Sequence, residues 1–192
     1  MNWFYNLKVK IKLITGFGAV VALFVAVLLY QYFTLDDLAN LQDAGSKRAF
    51  DTERVMHIEM RVDELYGVAA DAIINNNIDE AIQSLNNKKK KKEISEVKSL
   101  ADTDEELKAA EEFSTTYKEM FNTIKSELIP TLKNNTVVDQ SYIRTIDEIL
   151  DEYREKASVS IAVISESLSN ENKAGDKEYD DSSSSARSSL IV

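Results

Sequence analysis

Cysteine is absent from the 192 residues, which excludes disulfides, thiol nucleophiles and thiolate metal ligands. The only histidine, His57, rules out a two-histidine zinc site and the paired Glu-x-x-His motifs of a di-metal helical bundle. Glycine-rich phosphate loops are missing too, because Gly16 and Gly18 fall inside an apolar run. The many Asp and Glu residues show no spacing that would fix two of them as an acid and base pair. No enzyme is expected, and no cofactor or metal is implied. One proline and five glycines leave few turns, while Glu, Lys, Leu and Ala are plentiful, so the composition predicts an all-α protein.

What is present begins with Leu13 to Phe33, LITGFGAVVALFVAVLLYQYF. At about 1.5 Å rise per residue its roughly 21 residues span about 31 Å, matching a hydrocarbon core of about 30 Å. The run is expected to be one transmembrane helix in contact with membrane lipid. A cleaved signal peptide also begins with lysines, but its apolar core is shorter, about 7–15 residues, and ends at a small-x-small site that does not follow here. Lys8, Lys10 and Lys12 precede the run with no acid before them, and Asp36 and Asp37 are the first charges after it. Basic flanks stay in the cytoplasm. The expected organisation is a cytoplasmic segment 1–12, a span 13–33 in a bacterial inner membrane, and an extracytoplasmic domain 34–188. Trp3, Phe4 and Tyr5 at one end and Tyr30, Tyr32 and Phe33 at the other suit the headgroup layer. Gly18, Ala22 and Ala26 recur every four residues and offer a face on which a second copy of the helix could approach closely, making a homodimer.

Charge narrows the partners further. Beyond the three N-terminal lysines, 20 basic residues stand against all 33 acidic ones, a balance of −13. Such a surface repels nucleic acid, whose binding depends on basic side chains displacing counterions.

Apolar periodicity then predicts four helices. Leu35, Leu38, Leu41 and Ala44, followed by Val55, Ile58, Val62, Leu65, Ala69 and Ile73, make one stripe on a first helix continuous with the span. It should end at Asn75, Asn76 and Asn77, which tolerate left-handed backbone. A second helix is expected from about Ile78 to Ala101, with Ile78, Ala81, Ile82, Leu85, Ile94, Val97 and Leu100 inward. Lys88 to Lys92 cover every face of it, as a patch for anionic lipid or as a solvated stretch. Thr103 and Glu106 fit a capping box opening a third helix, whose stripe is Leu107, Ala110, Phe113, Tyr117, Met120, Ile124, Leu128 and Leu132, with Pro130 close to its end. Asn134, Asn135 and Thr136 follow as a turn. A fourth helix starts near Asp139 and carries Ile143, Ile146, Leu150, Tyr153, Ala157, Ile161, Ile164 and Leu168.

Stripes this narrow need partners, and short turns make neighbours antiparallel. The expected architecture is an antiparallel up-down-up-down four-helix bundle preceded by the continuous transmembrane helix. Its last helix would return to the level at which the first left the lipid, so 189–192 is expected to be the start of a second span at which the chain is cut.

The opening MNWFYNLKVKIKLITGF, the long first helix, the turn near Asn75, the LKAAEEFSTTYKEMF segment and a fourth helix running into ARSSLIV resemble the N-terminal half of bacterial methyl-accepting chemotaxis proteins. The resemblance covers essentially the whole chain, and the bundle pattern is shared by some membrane histidine kinases and diguanylate cyclases. It implies a homodimeric receptor that senses a small molecule, or a periplasmic binding protein, outside the membrane. An axial shift of the fourth helix would pass to a cytoplasmic part, absent here, through which the kinase and its coupling protein are reached. The alternatives are the same sensor on a histidine kinase or diguanylate cyclase, or a membrane-tethered structural bundle without a ligand.

In the family the site commonly lies between the first and fourth helices, with arginines of the first helix holding a carboxylate. Arg54 and Arg61 are seven residues apart and share a face, and their planar guanidinium groups suit bidentate carboxylate binding. Equally, they could pair with the local acids Asp51, Asp63 and Glu64. Enteric amino-acid receptors carry two further arginines where this chain has Tyr66 and Ala70, which removes the argument for aspartate or serine as ligand. As exposed charges, Arg54 and Arg61 should be replaceable by alanine without unfolding the bundle. Glu53 and His57, four apart, suit a surface pair.

Overall fold

The computed structural model describes residues 8–87, 90–134 and 140–189, without the side chains of Lys90 and Lys91. The expectations placed on Trp3, Phe4 and Tyr5, on Lys88 to Lys91, on Asn135, Thr136 and Asp139, and on Leu190, Ile191 and Val192 lie outside what is described. Among the described residues every element is helical and no strand occurs: α1 Val9–Asn75, α2 Ile78–Asn87, α3 Lys90–Leu100, α4 Asp104–Thr123, a π-helical segment Ile124–Leu128, α5 Ile129–Asn134 and α6 Gln140–Ser189. The chain divides into two compact units, Met1–Ser46 with Lys173–Val192, and Lys47–Asn172.

The first unit holds the apolar run. Its α1 segment is long and apolar enough to cross a membrane, and none of its most apolar window is buried within the protein. Phe17, Leu23 and Phe24 are among its exposed large side chains. Polar side chains there satisfy themselves locally: Thr15 Oγ1 donates to the Ile11 carbonyl and Thr34 Oγ1 to the Tyr30 carbonyl, each at 2.9 Å. Leu38, Leu41 and Ala44 are half-buried, as a stripe requires, but Leu35 is 67% exposed. Leu35 thus extends the unburied apolar surface instead of opening the buried one.

The second unit is built on one apolar core. Val55, Ile58, Val62, Leu65, Ala69 and Ala72 of α1 meet Ala81 and Leu85 of α2, Val97 and Leu100 of α3, Phe113, Tyr117 and Met120 of α4, and Ile143 through Leu168 of α6. Phe113 and Tyr117 stack with ring centroids 5.4 Å apart. Burying these side chains supplies most of the stability of such short amphipathic helices, which are marginal alone.

Local chemistry sets the helix ends. Asn76 takes φ 57°, the left-handed turn expected of the asparagine run. Asp71 steadies it by accepting from Asn75 Nδ2 at 2.6 Å and Asn77 Nδ2 at 3.1 Å. At the start of α4 the capping box is complete: the Glu106 N–H donates to Thr103 Oγ1 at 3.2 Å, and the Thr103 N–H donates to Glu106 Oε2 at 3.0 Å.

That cap also corrects the expected third stripe. Leu107 is 48% exposed, whereas Glu106 is 1% exposed. With 3.6 residues per turn, Glu106 shares the face of Ala110, Phe113 and Tyr117, and Leu107 lies about 100° away.

The same stripe ends on successive four-residue steps, Met120, Ile124, Leu128 and Leu132. Each step overshoots an α-helical turn by about 40°. The π-helical segment widens this stretch: the Ile129 N–H reaches back five residues to the Ile124 carbonyl. Pro130, which has no N–H for the Ser126 carbonyl, follows directly, and α5 closes at Asn134.

Long-range pairs tie the helices together. Arg154 Nε donates to Asp63 Oδ1 at 2.8 Å and stacks over Tyr66 at 4.9 Å; Asn172 Nδ2 donates to Thr52 Oγ1 at 3.3 Å; Lys98 lies 3.6 Å from Glu111.

Candidate functional site

Arg54 and Arg61 project from α1 two turns apart, and the structure brings both to one carboxylate of α3. Glu96 Oε1 accepts from Arg54 Nε at 3.4 Å and Glu96 Oε2 from Arg61 Nη1 at 2.9 Å. Arg54 also donates to Asp51 Oδ1 at 3.0 Å and to Ser99 Oγ at 2.9 Å, with its guanidinium 5.9 Å from the Phe50 ring centre. Arg61 Nη1 lies 3.7 Å from Glu93 Oε1. Of the three local acids expected to pair with the arginines, Asp51 does, and Asp63 pairs with Arg154 instead.

The two arginines are not surface charges: their side chains retain only 25% and 27% of their exposure. This corrects the premise that they are exposed charges: without Arg61, Glu93 would lose the cation it faces and Glu96 would keep Arg54 alone, both in a partly buried place. Burial works against a charged Glu96. The hydrogen bond and charge of Arg61, then those of Arg54, outweigh it and hold the carboxyl below the usual range. Tyr117 adjoins this cluster, its phenol pushed well up by burial first and by the Glu93 charge second, with Arg61 opposing.

Sequence reasoning missed both α3 acids of this cluster, Glu96 and Glu93. Glu93 is 7% exposed, and its Oε2 is buried without a hydrogen-bond partner. The signal lay in the spacing, since Glu93, Val97 and Leu100 fall on one face of α3 and a carboxylate there must enter the core. Chemically the cluster is two guanidinium groups facing Asp51, Glu93 and Glu96. An anion bound by the arginines would have to exchange places with Glu96.

Elsewhere in the same unit, a groove of about 630 Å³ is lined by Glu111, Glu112, Thr115, Glu152, Glu155 and Val159, among others. Its volume suits a small organic molecule, and its carboxylates match cationic or hydroxylated groups better than anions. His57 Nε2 stands 3.7 Å from Glu53 with both side chains exposed, as a surface pair. In the first unit, Gly18, Ala22 and Ala26 are exposed along α1, and a side chain added at Gly18 would meet nothing within 4 Å.

No protein-family model, curated protein or solved structure matches the chain.

Proposed function

We propose that the chain is the ligand-sensing part of a transmembrane receptor of the methyl-accepting chemotaxis type. The observation that carries this reading is α1: a single helix, Val9–Asn75, holds both an unburied apolar run of membrane-spanning length and the buried stripe Val55 to Ala72. The lysines before the run support an orientation with the N-terminus in the cytoplasm and the acidic unit outside a bacterial inner membrane.

The proposed antiparallel four-helix bundle is supported by the direction of the pairings. Asp63 meets Arg154 and Thr52 meets Asn172, so numbers rise along α1 as they fall along α6. Arg54 meets Ser99 and Arg61 meets Glu93, which opposes α3 to α1 in the same way. In this arrangement α2 with α3 is the second rod, α4 through α5 the third, and α6 the fourth.

The ligand is proposed to be a small carboxylate taken by Arg54 and Arg61 in exchange for Glu96, or a binding protein presenting such a group. A homodimer is proposed through Gly18, Ala22 and Ala26 and through a second face of α1, where Met56, Met60 and Ile74 are exposed on the side of Gly67. Ligand binding is proposed to move α6 along its axis and so reach a kinase and its coupling protein through a cytoplasmic part. The same sensor could serve a histidine kinase or a diguanylate cyclase, and a structural bundle without ligand is the third reading.

Two measurements test this. Protease added to spheroplasts should digest the acidic unit without lysis; protection until lysis would reverse the orientation. A carboxylate library screened by thermal shift and calorimetry against the purified full chain should give a binder whose affinity falls at least tenfold in Arg54→Lys. If every binder is indifferent to that substitution, the site lies elsewhere.

A further inference from the structure

A second polar locus of the Lys47–Asn172 unit stands apart from the arginine cluster. Asp102 in the turn before α4, Glu106 in its first turn and Glu171 on α6 each place a carboxylate oxygen within 4.8 Å of the other two. Clustering alone would describe only an acidic surface. Glu106, however, is 1% exposed. Its Oε2 accepts from the N–H groups of Asp102 and Thr103, both at 3.0 Å, while its Oε1 is buried with no hydrogen-bond partner. A carboxylate oxygen withdrawn from water and left unmatched is a standing cost that a bound cation would remove.

We infer that Asp102, Glu106 and Glu171 form a divalent-cation site that selects calcium. Oxygens on opposite sides of calcium lie about 4.6–5.2 Å apart, given Ca–O distances of about 2.3–2.6 Å, and the observed cluster fits within that sphere. Magnesium, with Mg–O of about 2.1 Å, requires a tighter octahedron and keeps more of its water. An all-oxygen set without histidine or cysteine disfavours zinc. Asp102 is exposed and Glu171 half-buried, so water can complete the shell from the open side. A groove of about 300 Å³ lined by Glu105, Glu106, Glu166, Ser167 and Asn170 adjoins Glu106 and offers more oxygen donors.

The neighbouring charges leave room for the ion. Lys47 acts on Asp102 and Arg48 on Glu171, but Asp51 adds another negative charge to both, so the locus stays negative. Crowding shows in the titrations. Asp102 is raised chiefly by its hydrogen bond to Glu106, and Glu171 by burial and then by the charges of Asp102 and Glu106. Glu106 stays low, because the N–H groups of Asp102 and Thr103 outweigh its burial. A cation here would tie the α3–α4 turn to α6.

The test is a calcium titration of the full chain in detergent micelles, followed by calorimetry and thermal unfolding. One ion should bind per chain, and calcium at ten times its Kd should favour the folded state about elevenfold. Glu171→Gln and Glu106→Gln should each weaken binding at least tenfold, whereas Glu155→Gln on the distant groove should bind as the parent does. Glutamine at 106 preserves the capping box, and circular dichroism would verify that both variants remain helical. Non-saturating binding, equal response to magnesium at matched ionic strength, or calcium affinity unchanged in both variants would overturn the inference.

Discussion

Arg61 and Glu96 stand 2.9 Å apart across α1 and α3, and the same carboxylate takes a second guanidinium from Arg54. One α3 acid therefore fastens two turns of α1. Arg61→Ala should destabilise the acidic unit by about 1–3 kcal/mol, since Glu93 and Glu96 would lose their shared cation in a partly desolvated place. Arg61→Lys should recover part of that loss, lacking the planar fork. Urea unfolding of the parent and both variants would read it, and an Arg61→Ala midpoint equal to the parent's would contradict the clamp.

The pH dependence of this clamp follows from the direction in which Glu96 shifts. Its folded-state carboxyl titrates below the ordinary value of 4.5. The contribution is thus fully present above that value and is lost as pH falls through the lower, folded-state pKa. The stability gap between parent and Arg61→Ala should be widest near neutrality and close in acid. A gap that grew on acidification would show the sign to be wrong.

Asn76 makes a sharper local prediction. Its φ of 57° is left-handed, where glycine rests without strain and a β-branched residue does not. Asn76→Gly should unfold within a few tenths of a kcal/mol of the parent, while Asn76→Val should lose about 1–2 kcal/mol. Chemical denaturation of the pair would settle it, and equal midpoints would refute the turn.

Thr103→Ala removes one arm of the α4 capping box and should cost about 0.5–2 kcal/mol. The loss is expected to spread beyond the cap, because Glu106 owes part of its low titration to the Thr103 backbone and hydroxyl. Hydrogen exchange at Glu106 and Leu107 should speed up before exchange elsewhere in α4. Uniform acceleration along the whole helix would argue against a local cap.

Much of the fold was legible because helical stripes obey a simple period. The faces Val55 to Ala69 and Ile143 to Leu168 are buried as the spacing requires, and the asparagine turn and capping box appear where their residue types stand. At two positions the reading failed because a polar group had taken an apolar position. Glu106 displaced Leu107 from the inner face because its carboxylate closes the cap, and Glu93 entered the core of α3. The arginine pair was legible as a shared face, but its partner was not. Glu96 lies 42 residues from Arg54 in the chain, and nothing local connects them. The carboxylate trio was hidden for the same reason, since Glu171 stands on α6, far along the chain from Asp102 and Glu106.

The wide turn at Ile124–Leu128 carries a surplus residue relative to an α-helix. A chain shortened by one residue inside it could rewind that turn as ordinary helix and leave the flanking stripes in phase. The same deletion in the middle of α4 would rotate everything after it by about 100° and turn Ile124 and Leu128 away from their neighbours. Only the first shortened protein should keep the parent's unfolding midpoint, which makes this stretch the place where the sequence can lose length without losing its shape.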